Sequence, residues 1–514
     1  MGNRYSRRRL LAGFGLSTAA LAVGELFGLS TLVRRLAWQD GYPGDDFHPA
    51  QASASRRGPA QGNPVRTENA RPGASGFSLT GHRFGEDRAA QVKAYASQTS
   101  VAPGEPIDFH VSVTPAQHYT VEVYRLGGYG GAGARLVQQS PALPGAPQPA
   151  PETDRAGTVQ CRWARSWRLR IGRDWLSGVY LALVRNEAGF RNWVPFVVRD
   201  PDRPAALLVV MPTATYQAYN MWPADLATGR SLYYGYTAAG TQDHEAKATA
   251  VSHDRPFAGD GLPFLAVRDL RFVQWIESAG YDVSYASSED LHAGRVRAAH
   301  HRGIVFCGHD EYWSTPMRQA AATARNSGTS LLFLAANNCY WRVGYRPSPT
   351  GADHRVVVCE KHRSPSYSTE AEPTVQWRTT GHPEQELLGS QYVSMVRGTA
   401  PLVVDGAGHW FWAGTGVRDG DRIRDVLWGE ADQLMPGFGR PTAVERVVLA
   451  DSPYASPKGK EYRQHSTLYR ARSGAWVFVA GTFNWTSALF DEKVRDRRIE
   501  RATHNLLARV TGVG

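Results

Sequence analysis

Ala206-Leu207-Leu208-Val209-Val210-Met211 is an unbroken apolar run, followed at once by Pro212 and the polar, aromatic stretch Thr213-Ala214-Thr215-Tyr216-Gln217-Ala218-Tyr219-Asn220-Met221-Trp222. A strand wet on one face alternates apolar and polar residues. One without alternation is covered on both faces, as in a parallel sheet between helices. Three further strands follow at 281–285, 303–307 and 331–334. Between them 265–279 has helical spacing through Leu265, Leu270, Phe272, Val273 and Ile276 and stops at Gly280, and 317–325 is helical again. Strands alternating with helices predict an α/β layer with a parallel sheet. Strands return within 355–490, at 355–359, 447–450 and 475–480, and a last helix is expected over 493–510.

Upstream of this layer the period is two. The segments 92–95, 107–113 and 119–124 alternate, separated by Pro103-Gly104-Glu105-Pro106 and Gly127-Gly128-Tyr129-Gly130-Gly131. Strands at 163–169, 179–184 and 193–198 follow. Short strands without helical spacing between them predict a β-sandwich. The expected organisation is a targeting or anchor segment at 1–38, a disordered linker at 39–75 rich in Gly, Pro, Ala and Ser, a β-sandwich at 76–200 and an α/β domain at 205–514 with inserted and C-terminal strands.

The chain has 514 residues, 42% hydrophobic and 20% charged, with 4 Cys, which excludes a disulfide-stapled miniprotein, a coiled coil and a wholly disordered chain. Its net charge of +11 is not a nucleic-acid signature. Arg4, Arg7, Arg8, Arg9, Arg34 and Arg35 face a lone Glu25 at the N-terminus, and the remaining arginines are scattered rather than striped. Ser6-Arg7-Arg8-Arg9-Leu10-Leu11 opens an uncharged stretch to Gly24, the form of a twin-arginine export signal. The apolar run resumes at Leu26–Val33, so an uncleaved membrane anchor is the alternative, and the expected location is extracytoplasmic or membrane-anchored.

Three loops at expected strand ends concentrate chemistry: 213–222, Gly308-His309-Asp310-Glu311-Tyr312-Trp313-Ser314, and Ala335-Ala336-Asn337-Asn338-Cys339-Tyr340-Trp341. Reactive groups of open α/β sheets lie at the carboxyl ends of the strands. His309 and Glu311 are candidate proton carriers and Asn337 a third candidate catalytic group. Tyr216, Asn220 and Trp341 are candidate substrate contacts. Against these, Asp310 or Ser314 serves equally as a helix cap. Cys339 is either a strand-end nucleophile or a buried thiol, and a Cys307–Cys339 disulfide is open. No CxxC or HExxH motif occurs, so zinc of ordinary spacing is unsupported.

At these loops the chain resembles the N,N-dimethylformamidase large (beta) subunit-like family, in its C-terminal region. The resemblance rests on Tyr216-Gln217-Ala218-Tyr219-Asn220, Asp290-Leu291-His292, Gly308-His309-Asp310-Glu311-Tyr312, Tyr340-Trp341, Gly429-Glu430-Ala431-Asp432 and Gly481-Thr482-Phe483-Asn484-Trp485. It implies an Ig-like sandwich joined to a glutamine-amidotransferase-like α/β domain, and in the amidase a mononuclear iron held by two tyrosines and a glutamate. Tyr312 matches one tyrosine. Glu372, with Glu370 second, matches the carboxylate. Where the other tyrosine belongs the chain reads Asp269-Leu270-Arg271-Phe272. Hard phenolate and carboxylate oxygens suit iron(III).

Two functions of different class follow. One is an exported, metal-dependent hydrolase of a small-amide C–N bond, with iron as the metal the resemblance implies. The other is a non-catalytic cell-envelope protein holding a small ligand or glycan, and a metal-free Cys339 hydrolase is a third. The expected partner is a small molecule, not nucleic acid, and homo-oligomerisation or a small partner subunit is left open.

Overall fold

The computed structural model describes residues 62–361 and 372–512. The signal or anchor expected at 1–38, the expected linker up to 61 and Glu370 lie outside the described residues. Among those described, no helix is long and apolar enough to cross a membrane. The linker expected to run through 75 ends earlier, because Pro64–Asn69 is a short helix capped by Asn63, with Val65 fully buried. Asn63 Nδ2 and Arg66 Nε both donate to the Gly280 carbonyl, at 3.0 and 2.9 Å. Composition does not reveal such side-chain bonds, and here they order a segment poor in large apolar residues.

The alternating segments form two facing sheets. Strands β1 (Val92–Ala96), β2 (Ser100–Val101), β3 (Pro106–Val113), β4 (Gln117–Leu126), β5 (Ala134–Gln139), β6 (Trp167–Arg170), β7 (Gly178–Asn186) and β8 (Arg191–Val198) pair in the orders β1-β3-β6 and β2-β8-β7-β4-β5. Ile107 and Phe109 from one sheet meet Val121, Tyr180 and Phe196 from the other in one apolar core. The expected strand 163–169 is shorter, since Trp163 turns away to donate its indole N–H to the Pro149 carbonyl.

The apolar run at 206–211 is β9 (Leu207–Met211), buried at every residue, and it leads into α1 (Thr213–Ala218). After β10 (Ala250–Ser252) come α2 (Ala266–Ser278), β11 (Val283–Ser287), α3 (Ser288–His292), β12 (Gly303–Phe306), β13 (Tyr312–Ser314), α4 (Thr315–Asn326), β14 (Ser330–Phe333), β15 (Trp341–Arg346) and β16 (Val356–Val358). The chain ends with β17 (Gln391–Val403), β18 (Arg422–Gln433), β19 (Ala443–Ala455), β20 (Glu461–Ala471), β21 (Trp476–Val479), α5 (Asn484–Phe490) and α6 (Arg497–Thr511).

The central sheet has the order β11-β9-β12-β14-β21-β20-β19. Its neighbours are parallel from β11 to β21, with Val209 opposite Tyr285 on one side and Val305 on the other. The last two strands return antiparallel. A small sheet, β10-β16-β15-β13, and the hairpin β17-β18 lie outside it. The molecule is thus mixed α and β, with more strand than helix. The parallel sheet is continuously apolar because it is covered on both sides by separate cores, one containing Val209, Val305 and Leu332, the other Val210, Phe306 and Phe333.

Polar knots join sandwich to sheet. Glu289 of α3 accepts from Thr99 Oγ1 at 2.8 Å, Thr213 Oγ1 at 2.6 Å and Tyr345 Oη at 3.1 Å, and His253 Nε2 stands 3.2 Å away. Burial alone would raise its pKa, but the His253 charge and these donors hold the carboxyl well below the usual range. Since the folded value is depressed, the stabilisation is present above the unfolded carboxylate value of about 4.3 and lost as pH falls below it. The stability advantage of the native chain over Glu289→Gln, read from urea midpoints, is therefore expected to be flat above about pH 5 and to shrink from there toward about pH 3. An advantage independent of pH would contradict this account.

Candidate active site

The site lies where β9, β12 and β14 end, and backbone bonds align the three loops. Thr215 Oγ1 accepts from the N–H groups of Glu311 and Tyr312 at 3.0 and 3.3 Å. Cys339 N donates to Asp310 O, and Tyr340 N to Glu311 O, both at 2.8 Å. Asn337 and Cys339 take positive φ, 54° and 58°, which turns the β14 loop back toward the sheet.

Glu311 is the centre of the constellation. Its carboxylate accepts from Tyr219 Oη at 2.7 Å and from Tyr233 Oη at 2.6 Å, and the two phenol oxygens are 3.1 Å apart. Tyr312 crosses both rings edge-on, and its buried hydroxyl has no hydrogen-bond partner among the described residues. The Lys361 ammonium, itself buried, lies 3.6 Å from the Tyr233 ring centroid and 4.8 Å from that of Trp341. Burial drives the pKa of all three phenols well above the ordinary value, and the Glu311 charge adds to it. Burial also pulls Lys361 down to about 8.

His309 Nε2 sits 3.2 Å from Glu311 Oε2, 3.3 Å from Tyr219 Oη and 3.6 Å from Glu430 Oε2. Burial opposes its charge, but the carboxylates of Glu430 and Glu311 hold the imidazolium up to about 9. Glu430, from β18, accepts from Asn337 Nδ2 at 2.9 Å, while the Asn337 N–H donates to Asp432 Oδ1 at 2.9 Å. Burial raises the pKa of both carboxyls, and the nearby Glu311 charge adds to the rise for Glu430.

The structure thus brings His309, Glu311, Tyr312 and Asn337 together, with Trp341 against Lys361. It does not bring Glu372 to them. That side chain is 55% exposed, accepts from Thr315 Oγ1 at 2.5 Å and stands 3.8 Å from Arg342. Asp269 is committed elsewhere, accepting from Tyr216 Oη at 2.5 Å. Asn220 braces a loop, donating to Gln217 and to the Pro256 carbonyl. Sequence reasoning gave no role to Tyr219, Tyr233, Lys361 or Glu430. Tyr219 and Glu430 stand inside motifs quoted for the resemblance, whereas Tyr233 and Lys361 carry no local signal.

All four cysteines are free, so Cys307 and Cys339 form no disulfide. Cys339 has the backbone of a strand-end elbow, but burial pushes its thiol up to about 12 and its Sγ faces Arg318 at 3.7 Å rather than a base. Among the described residues no group of three His, Cys, Asp or Glu side chains is arranged for a metal. The convergent hard donors here are phenols around one carboxylate. Two phenol oxygens and a carboxylate within hydrogen-bonding distance of one another fit a hard trivalent cation, which would replace the protons they share.

A sequence model of the family described as N,N-dimethylformamidase beta subunit-like, C-terminal, matches residues 120–496. The N,N-dimethylformamidase beta subunit of Paracoccus aminophilus is 23% identical over 423 residues, covering 68% of this chain and 54% of that protein. The beta subunit from Alcaligenes sp is 22% identical, with the same coverage. The chain therefore spans about half the length of these curated relatives. Among solved structures, a superoxide reductase from Ignicoccus hospitalis shares 14% identity over 22% of this chain and 82% of its own, at a TM-score of 0.14.

Proposed function

We propose, since the chain belongs to the N,N-dimethylformamidase beta subunit-like family, that it hydrolyses the C–N bond of a small amide at the Glu311 cluster, with iron as the cofactor. The observation that carries the reading is the Glu311 carboxylate shared between the Tyr219 and Tyr233 phenols. These three side chains would hold the ion, with Tyr312 packed edge-on against the two tyrosine rings and Glu372, out on the surface, taking no part. Iron(III), when bound, supplies Lewis acidity that polarises a carbonyl oxygen and acidifies water.

The chain's own residues do the rest. His309 Nε2 lies within reach of two carboxylates and a phenol, so it can hand a proton to a departing amine and take one back from the water that adds to the carbonyl, with Glu430 steadying its charge. Asn337, fixed through Glu430 and Asp432, fixes the Glu430 carboxylate in turn. Phe483, 4.6 Å from the His309 ring, and Trp428 beyond it present apolar surface to the imidazole. The parallel strand order supports a glutamine-amidotransferase-like reading of the larger domain, and the facing sheets an Ig-like one of the smaller. The relatives' name, beta subunit, supports a partner chain. Export through the twin-arginine route belongs to the same proposal, and an intact Met1 on protein recovered from the cytosol would contradict it.

Purified, iron-loaded chain is expected to release dimethylamine from N,N-dimethylformamide, measured by amine derivatisation. A folded, iron-loaded chain that releases amine from no small formamide or acetamide would contradict the reading and leave only a ligand-holding shell.

A further inference from the structure

A cavity of about 50 Å³ lies between the sandwich and the α/β domain, and none of Tyr219, Tyr233 or Glu311 lines it. Where one water needs about 10–15 Å³, that is room for roughly three to five. Val179, Trp193 and Phe196 of the sandwich, with Met211 and Leu270 of the larger domain, give it an apolar wall. Gln98, which is exposed, also lines it, so a small solute has a way in. Thr99, Thr213 and His253 line it too, but their polar atoms are turned to Glu289.

The rest of the polar wall is Gln217, Arg255 and Arg355, which are 1%, 1% and 4% exposed. Gln217 Oε1 accepts from Asn220 Nδ2 at 3.0 Å and from Arg255 Nε at 3.4 Å, which fixes the amide with Nε2 turned the other way. That Nε2 has no acceptor among the described residues. Arg355 donates from Nε to Asp254 and from Nη2 to the Ala96 and His253 carbonyls, and its Nη1 has no acceptor among them either. Arg255 donates to the carbonyls of Asn220, Trp222 and Arg230 and makes no ion pair with any described residue. Carbonyl dipoles satisfy its N–H groups without cancelling its charge, and burial pulls its pKa down to about 9. Arg355 is balanced by Asp254 and His253 by Glu289, so Arg255 is the cation left over. A buried charge without a partner is strongly destabilising.

We infer that this cavity is a site for one small monovalent anion, a halide or a carboxylate the size of acetate. It accepts from Gln217 Nε2 and Arg355 Nη1 and offsets the Arg255 charge. Water fits the space too, but it brings protons that need acceptors, to a wall whose open groups are donors, and no charge. The apolar wall suits a weakly hydrated ion or a methyl group and disfavours a multivalent one, whose hydration would be stripped without replacement. The inference does not depend on the amidase reading.

The test replaces sodium gluconate, too large to enter, by sodium chloride or sodium acetate at constant ionic strength and follows the thermal midpoint of the native protein. An anion that binds only the folded chain raises that midpoint with concentration, here by at least about 2 °C at 200 mM of chloride, of acetate or of both. The salt that acts tells halide from carboxylate, and no rise with either overturns the inference. Gln217→Glu places a carboxylate against Arg255 itself, so its midpoint is expected to move by less than about 0.5 °C with either salt. A shift of native size in that variant overturns the inference. Should Gln217→Glu not fold, crystals of native protein grown in the effective anion decide, with bromide and its anomalous signal standing for chloride. The ion bonded to Arg355 Nη1 and Gln217 Nε2 supports the site, and water alone there overturns it. An ion seen in the crystal without a midpoint shift is binding at crystal concentration only, and it too overturns the inference.

Discussion

Glu311→Gln is expected to lower turnover of a small amide by about 10³-fold, the order seen when a buried charge-stabilising group is removed from an active site. The carboxamide keeps the shape but presents an NH₂ where Tyr219 or Tyr233 now donates, so one of those hydroxyls faces a donor. It also removes the charge facing both His309, 3.2 Å away, and the buried Lys361. Glu372→Gln is the matched control. On the surface, with partners reachable by water, its effect is expected within about twofold. The two variants separate the carboxylate matched along the sequence from the one the fold places among the phenols. Comparable losses in both would contradict the assignment.

The second large effect concerns the seam between the domains. Arg125 of β4 donates through both Nη atoms to Glu277 of α2, at 2.8 and 2.9 Å, and both side chains are fully buried. Tyr285 Oη and Asn69 Nδ2 also donate to Glu277, and Arg125 reaches the Tyr129 hydroxyl and the Ser177 carbonyl. Removing one partner strands the other charge away from water, which costs about 3–5 kcal/mol in comparable buried pairs. Arg125→Met is therefore expected to lower stability by about that amount in urea titration, whereas Arg125→Met with Glu277→Met should recover most of it. A single variant within about 0.5 kcal/mol of native would show that water reaches the pair and that the seam is not closed.

The parallel core was legible because burial on both faces removes alternation, and 206–211, 303–307 and 331–334 show it within a strand's length. The strand expected at 281–285 begins two residues later, at Val283, with the Asp282 side chain before it accepting from Arg203 and the Ala206 N–H. The strand-end rule led directly to His309, Glu311 and Asn337, because parallel strands deliver neighbouring loops to one edge. Tyr233 was out of reach. It sits in irregular chain between α1 and β10, and only tertiary folding stacks it on Tyr219, with centroids 4.6 Å apart. Lys361 reads as an ordinary surface lysine until the fold closes three aromatic rings around it. Glu430 arrives on a hairpin from more than a hundred residues downstream. Glu372 was matched by order along the chain, which carries no information about which face of β13 a nearby carboxylate reaches.

The most direct measurement of the central claim is iron content together with the visible absorption of the purified protein. Tyr219, Tyr233 and Glu311 as the donor set predict one iron per chain and a tyrosinate-to-iron band, with both lost in the double variant Tyr219→Phe, Tyr233→Phe while the far-UV circular dichroism stays native. Iron retained at the same stoichiometry with an unchanged band in that variant would contradict it.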